Sequence, residues 1–202
     1  MEVEPRIDAL VKGMNTGTLT SAAALEAEFV VIDQLLAQNH QQLAATHSQN
    51  LEVWYAHIPG LKVVAPSSPA DAKALLTAAI RDDDPVLFLE NLGLYNLKGD
   101  VPDGEQVAEI GKAAIVKEGS DITVVSYSRG VVTALDVANQ LEGDGISVEV
   151  VDLRSLRPLD RDTVCASVRK TSRAVIFEDD LLSYGIGAEI SATIGESTGS
   201  SD

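Results

Sequence analysis

The chain has 202 residues, with 31 acidic against 15 basic side chains and a formal net charge of −16. So acidic a balance argues against nucleic-acid and anionic-membrane partners, which need a basic face. It reads first as a soluble acidic surface, with salt adaptation or a basic partner as the alternatives. Apolar residues make up 45%, enough for a core in one large domain or two small ones, and no run of about 18 apolar residues offers a membrane span.

In chain order, the opening MEVEPRIDAL is acidic and lacks a signal peptide's apolar run, so a cytoplasmic location is expected. Ile7 to Val11 reads as a helical turn and Gly13 to Thr20 as a loop. Leu25, Phe29, Ile32, Leu35 and Leu36 recur at helical spacing, predicting an amphipathic helix within Ser21 to Ala45. A polar turn, His47-Ser48-Gln49, leads to an aromatic helix over Leu51 to His57 and a break at Pro59-Gly60. Leu61 to Ala65 reads as a strand. Ser67-Ser68-Pro69 with Asp71 is a helix-start signal for a helix over Asp71 to Arg81. Asp82-Asp83-Asp84-Pro85 ends it, and Val86 to Leu89 is a second buried strand. Strand, helix and strand on short loops form a βαβ unit, and hence a parallel sheet.

Asn91 to Gln106 is a polar connector containing Gly and Pro, a natural domain boundary. Beyond it, strands are predicted at Ala113 to Lys117, Ile122 to Ser126, Val148 to Leu153 and Ala174 to Glu178. Helices are predicted at Val131 to Leu141, stopped by Gly143-Asp144-Gly145, and at Arg161 to Lys170, with Asp160 as N-cap. Gly185-Ile186-Gly187 opens a last helix, and GESTGSSD reads as a flexible tail. The pattern is a second α/β unit with a mainly parallel sheet.

By chemistry alone, His47 is either a capping residue or a group able to titrate near neutrality. Trp54, Tyr55 and His57 read as packing or interface residues, since no basic residues interleave them. Ser126-Tyr127-Ser128-Arg129-Gly130 lacks the glycine pattern of a nucleophile elbow and reads as a strand-to-helix loop, with Ser128 hydrogen-bonding. Gly185-Ile186-Gly187 lacks a third glycine for a dinucleotide loop and suits close packing at a helix start. Cys165 is the single cysteine, so neither an internal disulfide nor a cysteine zinc cluster is expected; it reads as a small core residue.

Several of these motifs, in this order, resemble the β subunits of thiamine-diphosphate-dependent 2-oxoacid dehydrogenases, the pyruvate dehydrogenase E1 type above all. The resemblance rests on His47-Ser48-Gln49, Pro59-Gly60-Leu61-Lys62-Val63-Val64, Asp71-Ala72-Lys73, Ala79-Ile80-Arg81-Asp82, the strand from Pro85 to Glu90, and the block from Ile110 to Ile194. It implies an α/β fold: a partial thiamine-diphosphate-binding domain of the pyrimidine type, then a transketolase C-terminal-like domain with a mainly parallel sheet. The expected divisions are a shortened N-terminal segment at 1–46, the remnant of the pyrimidine-type domain at 47–100, the C-terminal-like domain at 107–195 and a tail at 196–202. One strand of the C-terminal sheet is expected to be missing.

The same resemblance implies a catalytic role for His47 in proton handling and lipoyl acylation. It also implies a potassium site at Ala79, Ile80, Asp82 and Asp84, partly through main-chain oxygens. The family's cofactor-activating glutamate is not assignable: Glu4, Glu26 and Glu28 lack its surrounding motif. Expected cofactors are thiamine diphosphate and Mg²⁺, shared with an α subunit, and K⁺. Expected partners are that α subunit in an α2β2 assembly, and the lipoyl domain and core of the E2 acyltransferase. A non-catalytic interaction module of the same fold, and a branched-chain 2-oxoacid dehydrogenase β subunit, stand as alternatives.

Overall fold

Two sheets share one strand crossing, and that crossing organises the chain. The computed structural model describes residues 30–32 and 50–198. Strand β1, Val30–Ile32, falls inside the predicted N-terminal helix. Three successive β-branched residues favour a strand there, and β1 pairs parallel with β8 (Ala174–Phe177). It lies at the end of the large sheet, beside β8. The rest of the predicted N-terminal helix lies outside the described residues.

The first unit opens with helix α1 (Glu52–Ala56) and strand β2 (Lys62–Val64). Val53, Tyr55 and Ala56 of α1 pack on the core, but Trp54 is 70% exposed. His57 is exposed as well, so among the described residues these two do not pack into the core, and the interface reading is what stays open for them. One turn of helix has room for a single buried stripe, and Val53 with Ala56 takes it. Helix α2 (Pro69–Arg81) starts at the proline, because the Ser68 hydroxyl accepts the Asp71 N–H at 3.1 Å. It buries Leu75 and Ala78 and ends at Asp82. Strand β3 (Val86–Phe88) pairs parallel with β2, completing the predicted βαβ unit.

The second unit carries strands β4 (Ala114–Lys117), β5 (Ile122–Ser126), β6 (Val148–Asp152) and β7 (Ser155–Arg157). Its helices are α3 (Arg129–Gly143), α4 (Arg161–Thr171) and α5 (Ile186–Thr198). The large sheet runs β1-β8-β5-β6-β4, parallel except where β4 meets β6. Every residue of β5, β6 and β8 is buried, as expected of parallel strands covered on both faces. Successive residues alternate sides: Val124, Val150 and Val175 meet α3, while Val125, Val151 and Ile176 meet α4 and α5. Cys165 is buried, as predicted. Helix α5 runs on into the segment read as a tail, with the Ser197 hydroxyl bonded to the Ile194 carbonyl.

Strand β7 leaves this sheet and pairs antiparallel with β2, so the small sheet, β3-β2-β7, contains strands of both units. Across the seam, Asp71 and Arg154 form an ion pair at 2.9 Å. The Ser67 hydroxyl donates to Asp152, which is fully buried.

At the turn from β5 to α3, Ser128 takes a φ of 50° and makes no side-chain cap; its carbonyl instead accepts the Val131 N–H at 3.2 Å. The turn is tight enough that a Cβ on Gly130 would lie 2.2 Å from Ser126 Oγ. That hydroxyl is held by a bond to the Phe177 carbonyl at 2.7 Å. Gly130→Ala is therefore expected to cost about 2–3 kcal/mol by urea unfolding. In a double-mutant cycle, Ser126→Ala should recover part of that loss, giving a cost below the sum of the single changes.

Candidate functional site

A cleft of about 1470 Å³ lies between α1, the turn after β7 and the loop joining β8 to α5. Both units therefore build it. Asn50, at its lip, donates a side-chain hydrogen bond to the Asp179 carbonyl, tying the segment before α1 to that loop. His47, the predicted catalytic residue, lies outside the described residues.

The β8–α5 loop is shaped by Glu178. Its carboxylate accepts the Gly187 N–H at 2.9 Å, capping the start of α5. A Cβ on Gly187 would sit 2.5 Å from that carboxylate, so the predicted close packing is the reason for this glycine. Asp179 and Asp180 follow and line the cleft.

Behind them lies Glu52 of α1, whose Oε2 has no hydrogen-bond partner. Burial raises its pKa from the ordinary 4.5 to about 7; nearby Asp180 and Asp179 push the same way, and backbone N–H bonds oppose them in part. Tyr127, at the end of β5, is 4% exposed and its hydroxyl is also unpartnered. Burial, then Glu52, Glu178, Asp180 and Asp179, raise it well above the usual tyrosine range. These groups form one electrostatic cluster beneath the cleft.

A second buried carboxyl sits at the seam. Burial raises Asp152 from 3.8 to about 7, against the Ser67 hydroxyl and the Arg154 N–H that bond it. Glu149 behaves oppositely. It is fully buried too, yet Lys170, the Ser167 hydroxyl and the Gly119 N–H outweigh its burial and hold it below the carboxylate range.

The predicted potassium-site residues are partly brought together. Ala79 and Ile80 occupy the last turn of α2, and Asp82 is its C-cap. Lys62 Nζ bridges Asp82 at 2.7 Å and Asp84 at 3.1 Å. That contact, with the Asp84 N–H, holds the Asp82 carboxyl below its usual range. Among the described residues, no group of three or more His, Cys, Asp or Glu is arranged to hold a metal ion. Glu52, Tyr127 and Asp152 were absent from the sequence-based candidates. A lone carboxylate between Leu51 and Val53, or at the end of VEVVD, carries no motif.

Because Glu52 and Asp152 are neutral in the fold at low pH but ionise freely when unfolded, the native state binds extra protons between pH ~4 and ~7. Their stabilisation is complete below the unfolded pKa values and is lost as pH rises through about 7. Thermal melts should thus give a higher Tm near pH 5 than near pH 7.5. Glu52→Gln and Asp152→Asn should each raise Tm at pH 7.5 and flatten this slope; unchanged slopes would contradict the assignment.

Comparison with known proteins follows the same two units. Residues 9–98 match the profile of the transketolase pyrimidine-binding domain, and residues 111–200 that of the transketolase C-terminal domain. The pyruvate dehydrogenase E1 component subunit beta of Rickettsia felis is 50% identical over 153 residues, which is 76% of this chain and 47% of that protein. The mitochondrial pyruvate dehydrogenase E1 component subunit beta of Caenorhabditis elegans is 52% identical over 159 residues, 77% of this chain and 45% of that protein. A solved split-gene transketolase, described as an inactive β4 tetramer, superposes with a TM-score of 0.62 at 27% identity, over 72% of this chain and 47% of its own. The chain spans about half the length of the curated relatives it matches. With both domains matched in order and half the aligned residues identical, the chain carries transketolase-type pyrimidine-binding and C-terminal domains and is similar to the pyruvate dehydrogenase E1 β subunits.

Proposed function

We propose that the chain acts as a β-type subunit of a pyruvate dehydrogenase E1, in thiamine-diphosphate-dependent oxidative decarboxylation of pyruvate and acetyl transfer to a lipoyl group. The observation that carries this reading is the roughly half identity, across both units, to chains of that name. The relatives cited bear the pyruvate name, so the branched-chain alternative is not favoured. In this reading, an α-type subunit holds the diphosphate and Mg²⁺ within an α2β2 assembly, and the lipoyl domain and core of an E2 acyltransferase receive the acetyl group.

The described cleft does not fit the anionic end of that cofactor. Asp179, Asp180 and Glu52 would face a diphosphate with like charge, so no step is routed through it. The chain's own contribution is a two-unit scaffold joined by the β2–β7 pairing, with His47 proposed to handle the proton. We also assign K⁺ to the carbonyls of the Ala79–Ile80 turn, with Asp82 and Asp84 beside it, because the last carbonyls of a helix suit a hard cation. A second reading, a chain that pairs without supporting chemistry, is favoured by the similar chain described as an inactive β4 tetramer.

Native mass spectrometry of this chain co-expressed with an α-type E1 subunit, thiamine diphosphate and Mg²⁺ separates the two. An α2β2 mass with bound cofactor, and acetyl transfer from pyruvate, are expected; His47→Ala should keep the mass and lower transfer ~100-fold. A lone chain, a self-assembled tetramer or a cofactor-free complex would establish the non-catalytic reading. The same complex should melt higher in potassium chloride than in sodium chloride; equal Tm values would remove the potassium assignment.

A further inference from the structure

A second cavity, of about 520 Å³, lies at the carboxyl ends of β2 and β3. Its volume falls within the roughly 300–1,000 Å³ of small-molecule pockets. The crevice beyond the carboxyl ends of parallel strands is also where open α/β sheets bind ligands. Pro66, Pro69, Leu94 and Leu97 supply apolar wall. Glu90, whose carboxylate accepts the Tyr95 hydroxyl at 3.3 Å, adds a negative charge. A small uncharged molecule suits this lining, and an anion does not.

Ser67 gives the cavity its chemistry. It belongs to the turn from β2 to α2, the strand-to-helix position from which α/β folds present a serine nucleophile. The residue is 5% exposed, and its hydroxyl donates to Oδ2 of Asp152 at the end of β6. The Arg154 N–H holds the other oxygen, Oδ1, at 2.9 Å. Nucleophile, base and a group that orients the base thus follow one another in hydrogen-bonded order, the arrangement that activates a hydroxyl. The charges acting on Asp152 are the Asp71 carboxylate on α2 and the Arg154 guanidinium, which pair with each other at 2.9 Å. With burial the largest influence, the Asp152 carboxyl titrates at about 7, where it can both take and return a proton.

We propose that Ser67 and Asp152 form a nucleophile–base pair that hydrolyses small uncharged carboxylic esters in this cavity. Ser67 Oγ bonds to the ester carbonyl carbon as its proton passes to Asp152 Oδ2. The carbonyl oxygen, now negative, is met by the positive end of α2, whose first turn follows Ser67. The adduct collapses, the carbon–oxygen bond to the alcohol breaks, and Asp152 returns the proton to the departing alkoxide. Water then attacks the acyl-serine and gives a proton to Asp152. The carboxylic acid leaves as Ser67 recovers its hydrogen. The balance needs no oxidant or reductant. The activity is independent of the pyruvate dehydrogenase reading and needs no second subunit.

The test gives p-nitrophenyl acetate to the full-length chain alone at pH 8 and follows release of p-nitrophenolate. Hydrolysis should saturate with ester, and Ser67→Ala and Asp152→Asn should each lower kcat/KM about 100-fold. Asp152→Asn is expected to melt higher than the parent chain at pH 7.5, so unfolding does not account for its loss of turnover. His57→Ala, which removes an exposed imidazole outside the cavity, should leave the rate unchanged. Below pH 7, kcat/KM should rise about tenfold per pH unit, then level as Asp152 becomes fully ionised. A fluorophosphonate ester should label Ser67 in the parent chain, as located by peptide mass mapping. Parent-chain hydrolysis no faster than that of Ser67→Ala, or label confined to another residue, overturns the proposal. Full activity in Asp152→Asn removes Asp152 as the base and overturns the pair.

Discussion

The crossing from β6 to β7 is the constraint on which the rest of the molecule depends. Strand β6 ends at Asp152 in the large sheet, and β7 begins at Ser155 in the small one. Arg154 between them takes a φ of 58°, and its carbonyl accepts the Ala65 N–H at 2.9 Å. Strand β2 has a hydrogen-bonding edge on each side, and β7 fills the one that β3 leaves open. The two units are thus joined by backbone bonds, which resist displacement better than a side-chain interface alone. The Gly111 N–H bonded to Ser155 Oγ, and the Ala113 N–H bonded to Asp160, extend the same seam.

A crossing so tight leaves no solvent around Asp152, and the chain meets the resulting electrostatic cost in two ways. Glu149 keeps its charge, because Lys170 reaches it from the surface and two further donors complete its shell. Asp152 and Glu52 have weaker compensation, so neutrality competes with ionisation near pH 7. Both of these groups lie where the two units touch. Among the described residues, two carboxyls with raised pKa thus lie at the internal seam and beneath the cleft.

The cleft inherits this geometry. Helix α1 comes from the first unit, the Asp179–Tyr184 loop from the second, and neither forms the cleft alone. Glu178 anchors the loop by capping α5, so Asp179 and Asp180 are presented from a rigid turn. Apolar side chains at its rim, Trp54, Leu181 and Tyr184, stand over Asp179 and Asp180.

The sequence by itself determined most of the local structure and the family. The apolar runs of ITVVS, VEVVD and AVIF, the Ser68 and Asp160 caps, and the ordered motifs from His47 onward are carried by neighbours in the chain, so they can be read from it. The βαβ unit and the mainly parallel second sheet followed directly. Tertiary structure alone decided that Val30–Ile32 pairs with β8, that β7 joins β2, and that Trp54 and His57 face outward while Val53 and Ala56 pack inward. It also decided which of the 31 acidic residues became chemically distinct. Strand partners and the surroundings of Glu52, Tyr127 and Asp152 are set by residues far along the chain, and a carboxylate's desolvation depends on what folds over it rather than on its neighbours in sequence.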